Sequence, residues 1–326
     1  MGAIFRFTAA SLLSVWTATC AFAQTPPDQY PQRAVKFILP FGPGSGSDIA
    51  ARLIAEKLQT KWGKAVVVEP RPGGDGLIAI NAFTAARDDH TLLFASTASF
   101  IVHPYTLQSK PPYDMDRDLV PIVRAVDSGL AVALSTGSGA STLQEFVELA
   151  RKNPGKLNVA GGAGLAELTV KAFVIEQKLD VTIVPYRDII QAGVDLAENR
   201  IQLVSASLSM PMPHVQAGKV KVAAIAAPGR TPLAPEIPSA PEAGFATLGY
   251  ESTIGLYGPP GMSLDLRKRI AADVIEALQD PVVSKRLFSA GMAVNAQGPE
   301  ELAETVSRQK AATARLANIL GVKAKD

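Results

Sequence analysis

The stretch FILPFGPGSGSDIAARLIAEKL, residues 37–58, decides how this chain folds. An apolar run typical of a buried strand ends in a turn of glycine and proline. Apolar residues then recur at helical spacing at Ile49, Leu53, Ile54 and Leu58. The pattern therefore predicts a strand, a glycine turn and a helix in succession. Because the turn contains no Lys or Arg, an anion bound there would be held by main-chain amides.

The same strand–turn–helix unit recurs along the chain. AVVVEPRPGGDG precedes the helical pattern LIAINAFTAA, and LNVAGGAG precedes LAELTVKAFVIEQ. Further apolar runs, HTLLFAS, VTIVPY, IQLVSAS and KVKVAAIA, are typical of buried strands. Alternating strands and helices predict an α/β fold with mostly parallel sheets. Because 326 residues exceed the size at which one core usually divides, we expect two α/β lobes.

Three glycine turns at helix starts, residues 42–47, 73–76 and 161–164, are candidate anion sites. A helix begins with unpaired N–H groups and a partial positive charge, and glycine lets a ligand approach the backbone closely. The alternative is that glycine turns only join strands to helices. Their recurrence in one exported chain favours ligand binding.

Polar side chains next to these turns extend the candidate site. The hydroxyl groups of Ser45, Ser47 and Thr97 are potential donors to a ligand. Asp48 has the position of a general base, but an Asp before a helix more often caps it. We therefore assign Ser47 or Asp48 as the N-cap of the first helix.

The first 24 residues, MGAIFRFTAASLLSVWTATCAFAQ, have the pattern of a secretory signal. A single charge, Arg6, precedes a short apolar run and a small-residue site that ends at Ala23. A membrane anchor and a lipidated Cys20 are alternatives that the pattern fits less well. We expect a signal peptide over residues 1–23 and a location in the periplasm. Cleavage would remove the single cysteine, and with it any disulfide or thiolate metal site.

Charge and motifs argue against several classes of partner. The formal net charge is +2 and no basic block is present, so we expect no nucleic acid. GPGSGS resembles a dinucleotide fingerprint, with Glu69 after the next strand, but its last spacing is wrong and export removes the nucleotide pool. The turn also lacks the Gly-Lys ending of a phosphate-binding P-loop. We therefore expect no cofactor.

Catalytic motifs are also missing from the sequence. It contains neither a G-x-S-x-G nucleophile elbow nor an H-E-x-x-H zinc motif. Among the histidines, His103 is the candidate to meet a substrate, whereas we place His90 and His214 at the surface. We expect no enzyme activity and no metal, with an exported hydrolase whose triad forms in space as the alternative.

Several segments together resemble one known family. They are YPQRAVKFILPFGPGSGSDIAARLIAEKL, VVVEPRPGGDGLIAINAFTAARDDHTLLFAS, IVPYRD, PHVQAGKVKVAAIA, RTPLAPEIPSAPEAG and GLYGPPG. In this order they are similar to the Bug-type extracytoplasmic solute receptors, the binding proteins of tripartite tricarboxylate transporters. The resemblance implies a periplasmic-binding-protein fold of the type II-like class, with two doubly wound α/β lobes joined by two extended hinge segments. Domain 1 would comprise residues 24–125 and 250–326, and domain 2 residues 126–249.

The resemblance also implies a function. Such a receptor captures a carboxylate in the cleft between its lobes and delivers it to membrane transporter subunits, without catalysis. We expect a monomer. In the alternative reading, the liganded protein docks on a sensor protein and its output is a signal.

Position by position, the resemblance assigns the ligand site to three loops of domain 1 and to strand ends of domain 2. The assigned residues are Phe41, Gly42, Gly44, Ser45, Ser47, Asp48, Gly74, Asp75, Gly76, Thr97, Ser99, Gly164, Glu167, Tyr186, Arg187 and Ser205. Domain 2 departs from the family pattern at Leu165, Ala166 and Glu167, and Ser205 stands where Asp is usual. We therefore expect an aromatic or other non-standard carboxylate, with Leu165 and Ala166 against its apolar body.

Overall fold

The computed structural model describes residues 27–162, 164–186 and 189–325, and the predicted signal peptide lies outside them. Strands and helices alternate in this part of the chain, as predicted. The strands are β1 Val35–Leu39, β2 Val66–Pro70, β3 Thr91–Ser96, β4 Val120–Ser128, β5 Leu130–Ser135, β6 Asn158–Gly161, β7 Thr182–Ile183, β8 Leu203–Ser207, β9 Val220–Ile225, β10 Thr253–Gly258 and β11 Met292–Gln297.

The helices differ widely in length. They are α1 Gly46–Trp62, α2 Leu77–Ala86, α3 Ala98–Ile101, α4 His103–Thr106, α5 Met115–Asp118, α6 Leu143–Lys152, α7 Leu165–Glu176, α8 Ile189–Ala197, α9 Met212–Gln216, α10 Leu264–Gln279, α11 Pro281–Ser289 and α12 Pro299–Ile319. Short 3-10 helices cover Pro27–Gln29, Gly74–Gly76, Thr136–Ser138 and Ala246–Leu248. None of the helices in the described ranges combines the length and hydropathy needed to cross a membrane.

The strands form two mixed sheets. In the first, the order is β11-β4-β10-β3-β1-β2. Strands β1, β2 and β3 are parallel, whereas β10 is antiparallel to both β3 and β4. In the second sheet the order is β7-β6-β8-β5-β9, with β6 parallel to its two neighbours and β5 antiparallel to both of its own. Each sheet thus has a parallel half, which carries the glycine turns.

The chain passes from the first sheet to the second through a single residue. Ser128, at the end of β4, pairs with Met292 in the first sheet, and Leu130, at the start of β5, pairs with Ser207 in the second. Only Gly129 lies between them. β4 therefore remains in the first sheet three residues past the 125/126 boundary expected from the sequence. The chain returns through residues 226–252, between β9 and β10.

The first sheet is covered by helices on both faces. Successive residues of a strand point to opposite faces, and Phe37 accordingly packs in an apolar cluster with Ile54 of α1 and Leu266 of α10. Ile38 packs on the other face, in a cluster with Phe83 of α2.

This second cluster continues into the other lobe. Helix α12 contacts both β4 of the first sheet and α7 of the second lobe. Leu302 and Leu316 of α12 belong to the same apolar cluster as Val170 and Phe173 of α7. Helix α12 therefore packs against both lobes.

The crossing at Gly129 leaves little room for a side chain. A Cβ atom placed there would lie 2.7 Å from Leu233 Cδ1, 3.3 Å from Leu208 Cβ and 3.3 Å from the Gly291 carbonyl oxygen. We predict that Gly129→Ala lowers the free energy of unfolding by about 1–3 kcal/mol, because the added methyl group overpacks the crossing. Urea denaturation measures this change.

Gly229→Ala is the matched control for this substitution. Gly229 lies in the returning segment, and a Cβ atom there would meet nothing within 4 Å. We expect its unfolding midpoint to stay close to that of the wild type. Equal losses of stability in the two variants would contradict the proposed crowding at Gly129.

Candidate functional site

The carboxyl ends of the parallel strands in the two lobes face each other. β4 runs in the same direction as β1–β3, since β10 is antiparallel to both β3 and β4. The chain therefore leaves the first sheet at the edge where β1, β2 and β3 end. In the second sheet, the first residue of β5 pairs with the last residue of β8, so the chain enters where β6, β7 and β8 end. With one residue between the sheets, these two edges border the same cleft.

The first loop is organised by reciprocal capping of α1. Ser45 is the N-cap, and its hydroxyl accepts a hydrogen bond from the Asp48 amide at 3.2 Å. In return, Asp48 Oδ2 accepts a hydrogen bond from the Gly44 amide at 3.0 Å. The assignment of Ser47 or Asp48 as N-cap was therefore wrong. It failed because three polar residues lie within four positions, and spacing alone does not choose between them.

This capping uses some of the assigned donors and leaves others. The Gly44 amide and the Ser45 hydroxyl are engaged within the loop. In the described part of the chain, the Gly46 and Ser47 amides have no acceptor within hydrogen-bonding distance. They belong to the first turn, where N–H groups lack intrahelical partners. Gly46, which lies in the predicted turn 42–47 but not among the assigned ligand residues, thus offers the donor expected of Gly44.

The charge of Asp48 is balanced locally. Arg52, one turn further along α1, donates from Nε to Asp48 Oδ2 at 3.0 Å and places Nη2 3.0 Å from Oδ1. Burial alone would raise the pKa of Asp48, but the hydrogen bonds from Arg52 and the Gly44 amide outweigh it and lower the pKa. The ionised Asp48 is paired with Arg52, so its negative charge does not cancel the partial positive charge of the helix start.

The second loop holds four consecutive residues in the left-handed region. Their φ angles are 114° for Gly73, 57° for Gly74, 53° for Asp75 and 93° for Gly76. Glycine adopts this region without strain, and Asp is among the few other residues that tolerate it. A Cβ atom at Gly76 would lie 3.3 Å from Pro40 Cβ and 3.9 Å from Ser99 Cβ. Pro40 of the first loop and Ser99 of the third therefore lie against Gly76 of the second.

A buried histidine is hydrogen-bonded to the main chain of this second loop. His103 is fully buried, its Nε2 lies 2.9 Å from the Asp75 carbonyl oxygen, and its Nδ1 lies 2.6 Å from the Tyr113 hydroxyl. Since a carbonyl only accepts, Nε2 carries the proton and Tyr113 donates to Nδ1. Burial lowers the pKa of His103, which keeps the ring neutral. His103 therefore orients the loop and does not meet a substrate, contrary to the sequence-based expectation.

In the third loop, the two assigned residues have different surroundings. Thr97 is fully buried, and its hydroxyl bonds to the Thr253 carbonyl and lies 3.1 Å from the Tyr257 hydroxyl. Its side chain is thus engaged inside the lobe and is not a donor to a ligand. Ser99 is half-buried beside Gly76, and its hydroxyl forms no hydrogen bond with another described residue. Of the two, Ser99 is the available hydroxyl.

In the second lobe, α7 begins at the cleft edge without a capping side chain. Gly164 is its N-cap, with φ 81° and ψ −128°, a conformation that favours glycine. Among the described residues no side chain caps this end, so the first-turn amides of α7 are available to a ligand. Leu165 and Ala166 are buried in the core, so neither offers the apolar wall that we expected. The Glu167 carboxylate forms an ion pair with Lys171.

In the motif IVPYRD of the second lobe, the tyrosine side chain is hydrogen-bonded within its own lobe. The Tyr186 hydroxyl donates to Asp195 Oδ2 at 2.7 Å, and Arg200 Nη1 lies 2.8 Å from Asp195 Oδ1. Burial and the Asp195 carboxylate raise the pKa of Tyr186 to about 12. The hydroxyl of Tyr186 is therefore committed to Asp195 of α8. Arg187 lies outside the described residues.

Two buried hydroxyl groups of the second lobe and its returning segment lack well-aligned partners. Ser205 is fully buried, and within the described residues its hydroxyl has no hydrogen-bond partner. The Tyr250 hydroxyl is also buried and unpartnered among these residues. Burial raises the pKa of Tyr250, and the nearby Ser205 hydroxyl opposes this. Tyr250 was missed in the sequence because it lies far from any glycine turn.

The remaining assigned positions, Phe41 and Gly42, are half-buried at the start of the first loop. The Gly42 carbonyl accepts a hydrogen bond from the Ser45 amide at 3.3 Å, which closes the turn. These residues join the first loop to β1. The structure thus places Pro40 of the first loop and Ser99 of the third against Gly76 of the second, and directs the Thr97 and Tyr186 side chains elsewhere.

A cluster of potential metal ligands lies at the opposite end of the first sheet. Asp88, Asp89 and His90 place one ligand atom each within 4.8 Å of one another, beside a cavity of about 890 Å³. His90 is buried, so its assignment to the surface was wrong. Its Nδ1 lies 2.6 Å from Asp89, and its Nε2 accepts from the Gln32 amide. Both ring nitrogens of His90 are therefore engaged in contacts next to the start of β3.

Comparison with known proteins agrees with this arrangement. The sequence model of one protein family, the tripartite tricarboxylate transporter family receptor (TctC), matches residues 50–322. Among curated sequences, a UPF0065 protein of Bordetella bronchiseptica is 30% identical over 306 residues, which are 92% of this chain and 88% of that protein.

Solved structures share the fold over almost their whole length. The periplasmic binding protein BugD superposes with a TM-score of 0.72 at 26% identity, covering 90% of this chain and 99% of BugD. MatC from Rhodopseudomonas palustris, solved with bound malate, gives a TM-score of 0.71 at 26% identity and covers 89% and 99%. The predicted periplasmic-binding-protein fold is therefore confirmed. The chain belongs to the tripartite tricarboxylate transporter receptor family and is a receptor of the Bug type.

Proposed function

We propose that this protein captures a carboxylate between its two lobes and delivers it to the subunits of a tripartite tricarboxylate-type membrane transporter. The observation that carries the proposal is the start of α1, where the Gly46 and Ser47 amides are left without acceptors among the described residues at the cleft edge. Asp48, the carboxylate in that turn, is paired with Arg52. A carboxylate ligand therefore meets donors and a net favourable field there.

The strength of such a site comes from several modest contributions. A helix start contributes about 0.3–1 kcal/mol towards an exposed anion and up to ~2 kcal/mol when partly buried. A hydrogen bond to a charged group adds about 1.5–3 kcal/mol. Two amides of α1, the left-handed second loop and the Ser99 hydroxyl together support useful affinity without a cationic side chain.

The second lobe favours a ligand with another polar or acidic group. The start of α7, which no described side chain caps, offers amides to an acceptor, and the buried Ser205 hydroxyl, close to that of Tyr250, is a further candidate donor. The malate bound in MatC is a dicarboxylate and is consistent with this arrangement. Burial of Leu165 and Ala166 removes the reason for expecting an aromatic body. We therefore favour a dicarboxylate over an aromatic monocarboxylate.

The non-catalytic role is supported by the histidines. His90 and His103 each use both ring nitrogens in contacts within the first lobe. The family consists of transporter receptors, which favours delivery to a transporter over the alternative, signalling through a sensor protein. We further propose export through the signal peptide 1–23, a monomeric state, and an inserted domain that runs from Gly129 to the end of the returning segment.

We predict that Gly46→Pro weakens carboxylate binding by about 1.5–3 kcal/mol, or roughly 10- to 150-fold, because it removes one donor to a charged group. The first helical position accepts proline readily, and the preceding Ser45 already has extended φ and ψ angles of −65° and 159°. The helix should therefore remain intact. Calorimetric titration with malate, and with a panel of mono- and dicarboxylates, measures the affinity.

The matched control is Gly46→Ala, which adds a side chain and keeps the amide. The nearest atom to its Cβ would be Met292 Sδ at 3.5 Å, an ordinary contact. We expect Gly46→Ala to bind like the wild type. If Gly46→Pro also retains full affinity, the ligand does not use the start of α1. If no carboxylate binds the wild-type protein, the proposed function itself is wrong.

A second prediction concerns pH and the support of the second loop. Burial lowers the pKa of His103 below its ordinary value of 6.5. The unfolded chain then takes up a proton near pH 6.5, whereas the folded chain does so only at lower pH. The free energy of unfolding should fall as pH drops from about 7 through this window, by up to about 1.4 kcal/mol per pH unit for this one group.

His103→Gln isolates this contribution. The glutamine amide can donate to the Asp75 carbonyl and accept from Tyr113, but it does not titrate. Urea unfolding at several pH values between about 7 and 5 should show a shallower dependence for the variant than for the wild type. Identical slopes would show that His103 is not held neutral by burial.

A further inference from the structure

A polar network surrounds the end of β4, immediately before the chain crosses to the second lobe. Arg124 is 6% exposed, and its Nη2 donates to both carboxylate oxygens of Asp127 at 2.8 Å. Its Nη1 donates to the Thr305 hydroxyl of α12 at 3.1 Å. A guanidinium charge removed from water in this way is costly unless it is paired and hydrogen-bonded. The presence of this network at the end of β4 therefore calls for an explanation.

The carboxylate of Asp127 joins the outgoing and the returning chain. It accepts from the Thr253 hydroxyl at 3.0 Å, on the first residue of β10, where the chain re-enters the first sheet. It also accepts from Asn295 Nδ2 of β11 at 2.6 Å. One side chain thus receives donors from β4, β10 and β11 at the edge of the sheet that borders the cleft.

The end of the returning segment is tied to the same place. Glu251 Oε1 lies 3.8 Å from Arg124 Nη1 and 3.5 Å from Arg308 Nη2 of α12. The Ser128 amide donates to the Ser252 carbonyl at 2.8 Å. The outgoing chain at Ser128 and the returning chain at residues 251–252 are therefore held to each other and to α12. Helix α12 in turn packs on α7 of the second lobe.

The network also reaches a ligand loop. The Thr97 amide donates to the Thr253 carbonyl at 2.9 Å, and the Thr97 hydroxyl bonds to the same oxygen. Thr253 therefore uses its carbonyl for the third loop and its hydroxyl for Asp127. Ser99, the available hydroxyl of that loop, is two residues further along.

We propose that Arg124 and Asp127 form a hinge clamp, which sets the relative orientation of the two lobes and couples it through Thr253 to the third ligand loop. They are positioning residues for ligand capture and do not touch the ligand. The clamp fixes the directions in which the chain leaves and re-enters the first sheet. That its loss weakens binding rests on the proposed function, whereas its effect on lobe orientation does not.

The expected effect on affinity follows from populations. When only a fraction of molecules has the lobe orientation that binds ligand, the apparent dissociation constant rises in inverse proportion to that fraction. Without the clamp, more orientations become accessible and the competent fraction falls. Coupling of this kind typically changes affinity by about 5- to 150-fold.

The chain offers a matched control network inside one lobe. Asp273 of α10 is 4% exposed, accepts from Trp62 Nε1 at 2.7 Å and lies 2.8 Å from Lys61 Nζ. Arg269 donates to it as well. This carboxylate joins α1 to α10 and touches neither crossing. Asp273→Asn therefore removes a hydrogen-bonded carboxylate charge, one more deeply buried than that of Asp127, without affecting the clamp.

The test measures lobe orientation without ligand. Spin labels at the exposed positions Lys64 of the first lobe and Lys156 of the second, each changed to Cys, report the distance between the lobes. Cys20, the single native cysteine, is changed to Ser. The backgrounds are wild type, Asp127→Asn, Thr253→Val and Asp273→Asn. Thr253→Val keeps the shape and the carbonyl and removes only the hydroxyl link, so it decides the matter if Asp127→Asn does not fold.

We expect Asp127→Asn and Thr253→Val to broaden or shift the distance distribution, and Asp273→Asn to leave it unchanged while lowering the melting temperature. In malate titrations, the first two variants should lose affinity about 5- to 150-fold and the control should not. Distance distributions for Asp127→Asn and Thr253→Val that match the wild type would overturn the clamp. Failure of malate and the other carboxylates to bind the wild type would contradict the proposed function, and the clamp would still be judged from the distances alone.

Discussion

The site depends on how the first turn of α1 satisfies its own polar groups. The Ser45 hydroxyl accepts from the Asp48 amide, and the Asp48 carboxylate accepts from the Gly44 amide and pairs with Arg52. This leaves the next two amides, those of Gly46 and Ser47, without acceptors among the described residues at the cleft edge. A loop in which every amide had an acceptor within the protein would have no donor left for an anion. In the function that we propose, recognition would follow from this incomplete set of hydrogen bonds at one helix end.

Much of the architecture could be read from the sequence because its patterns are local. Helix α2 occupies the ten residues of LIAINAFTAA, and the strand–glycine turn–helix units lie where the periodicity predicts them. The division between β4 and β5 was harder to see, since Gly129 is the single residue between two strands that belong to different sheets. Strand β11 was missed because most of its residues are only partly buried and its apolar pattern is weak.

The side chains of the site were less predictable than its loops. A glycine turn indicates where a backbone is accessible, but not which neighbouring groups already have partners. Thr97 has a suitable hydroxyl and a suitable position, yet Thr253 and Tyr257 engage it inside the lobe. Tyr186 is likewise committed to Asp195. Such pairings depend on the packed arrangement of the side chains, so only the folded chain reveals them.

The left-handed run from Gly73 to Gly76 also restricts how this receptor can evolve. Three of its four positions are glycine, and the fourth, Asp75, is fastened through its carbonyl to His103. A change to a bulkier residue at any of the glycines would strain the backbone before it altered the choice of ligand. New solute preferences are therefore expected to arise by drift in the opposite lobe, around α7 and Ser205. One half of the cleft is constrained by a run of four residues in the left-handed region, whereas in the described part of the third turn the constraint applies to Gly164.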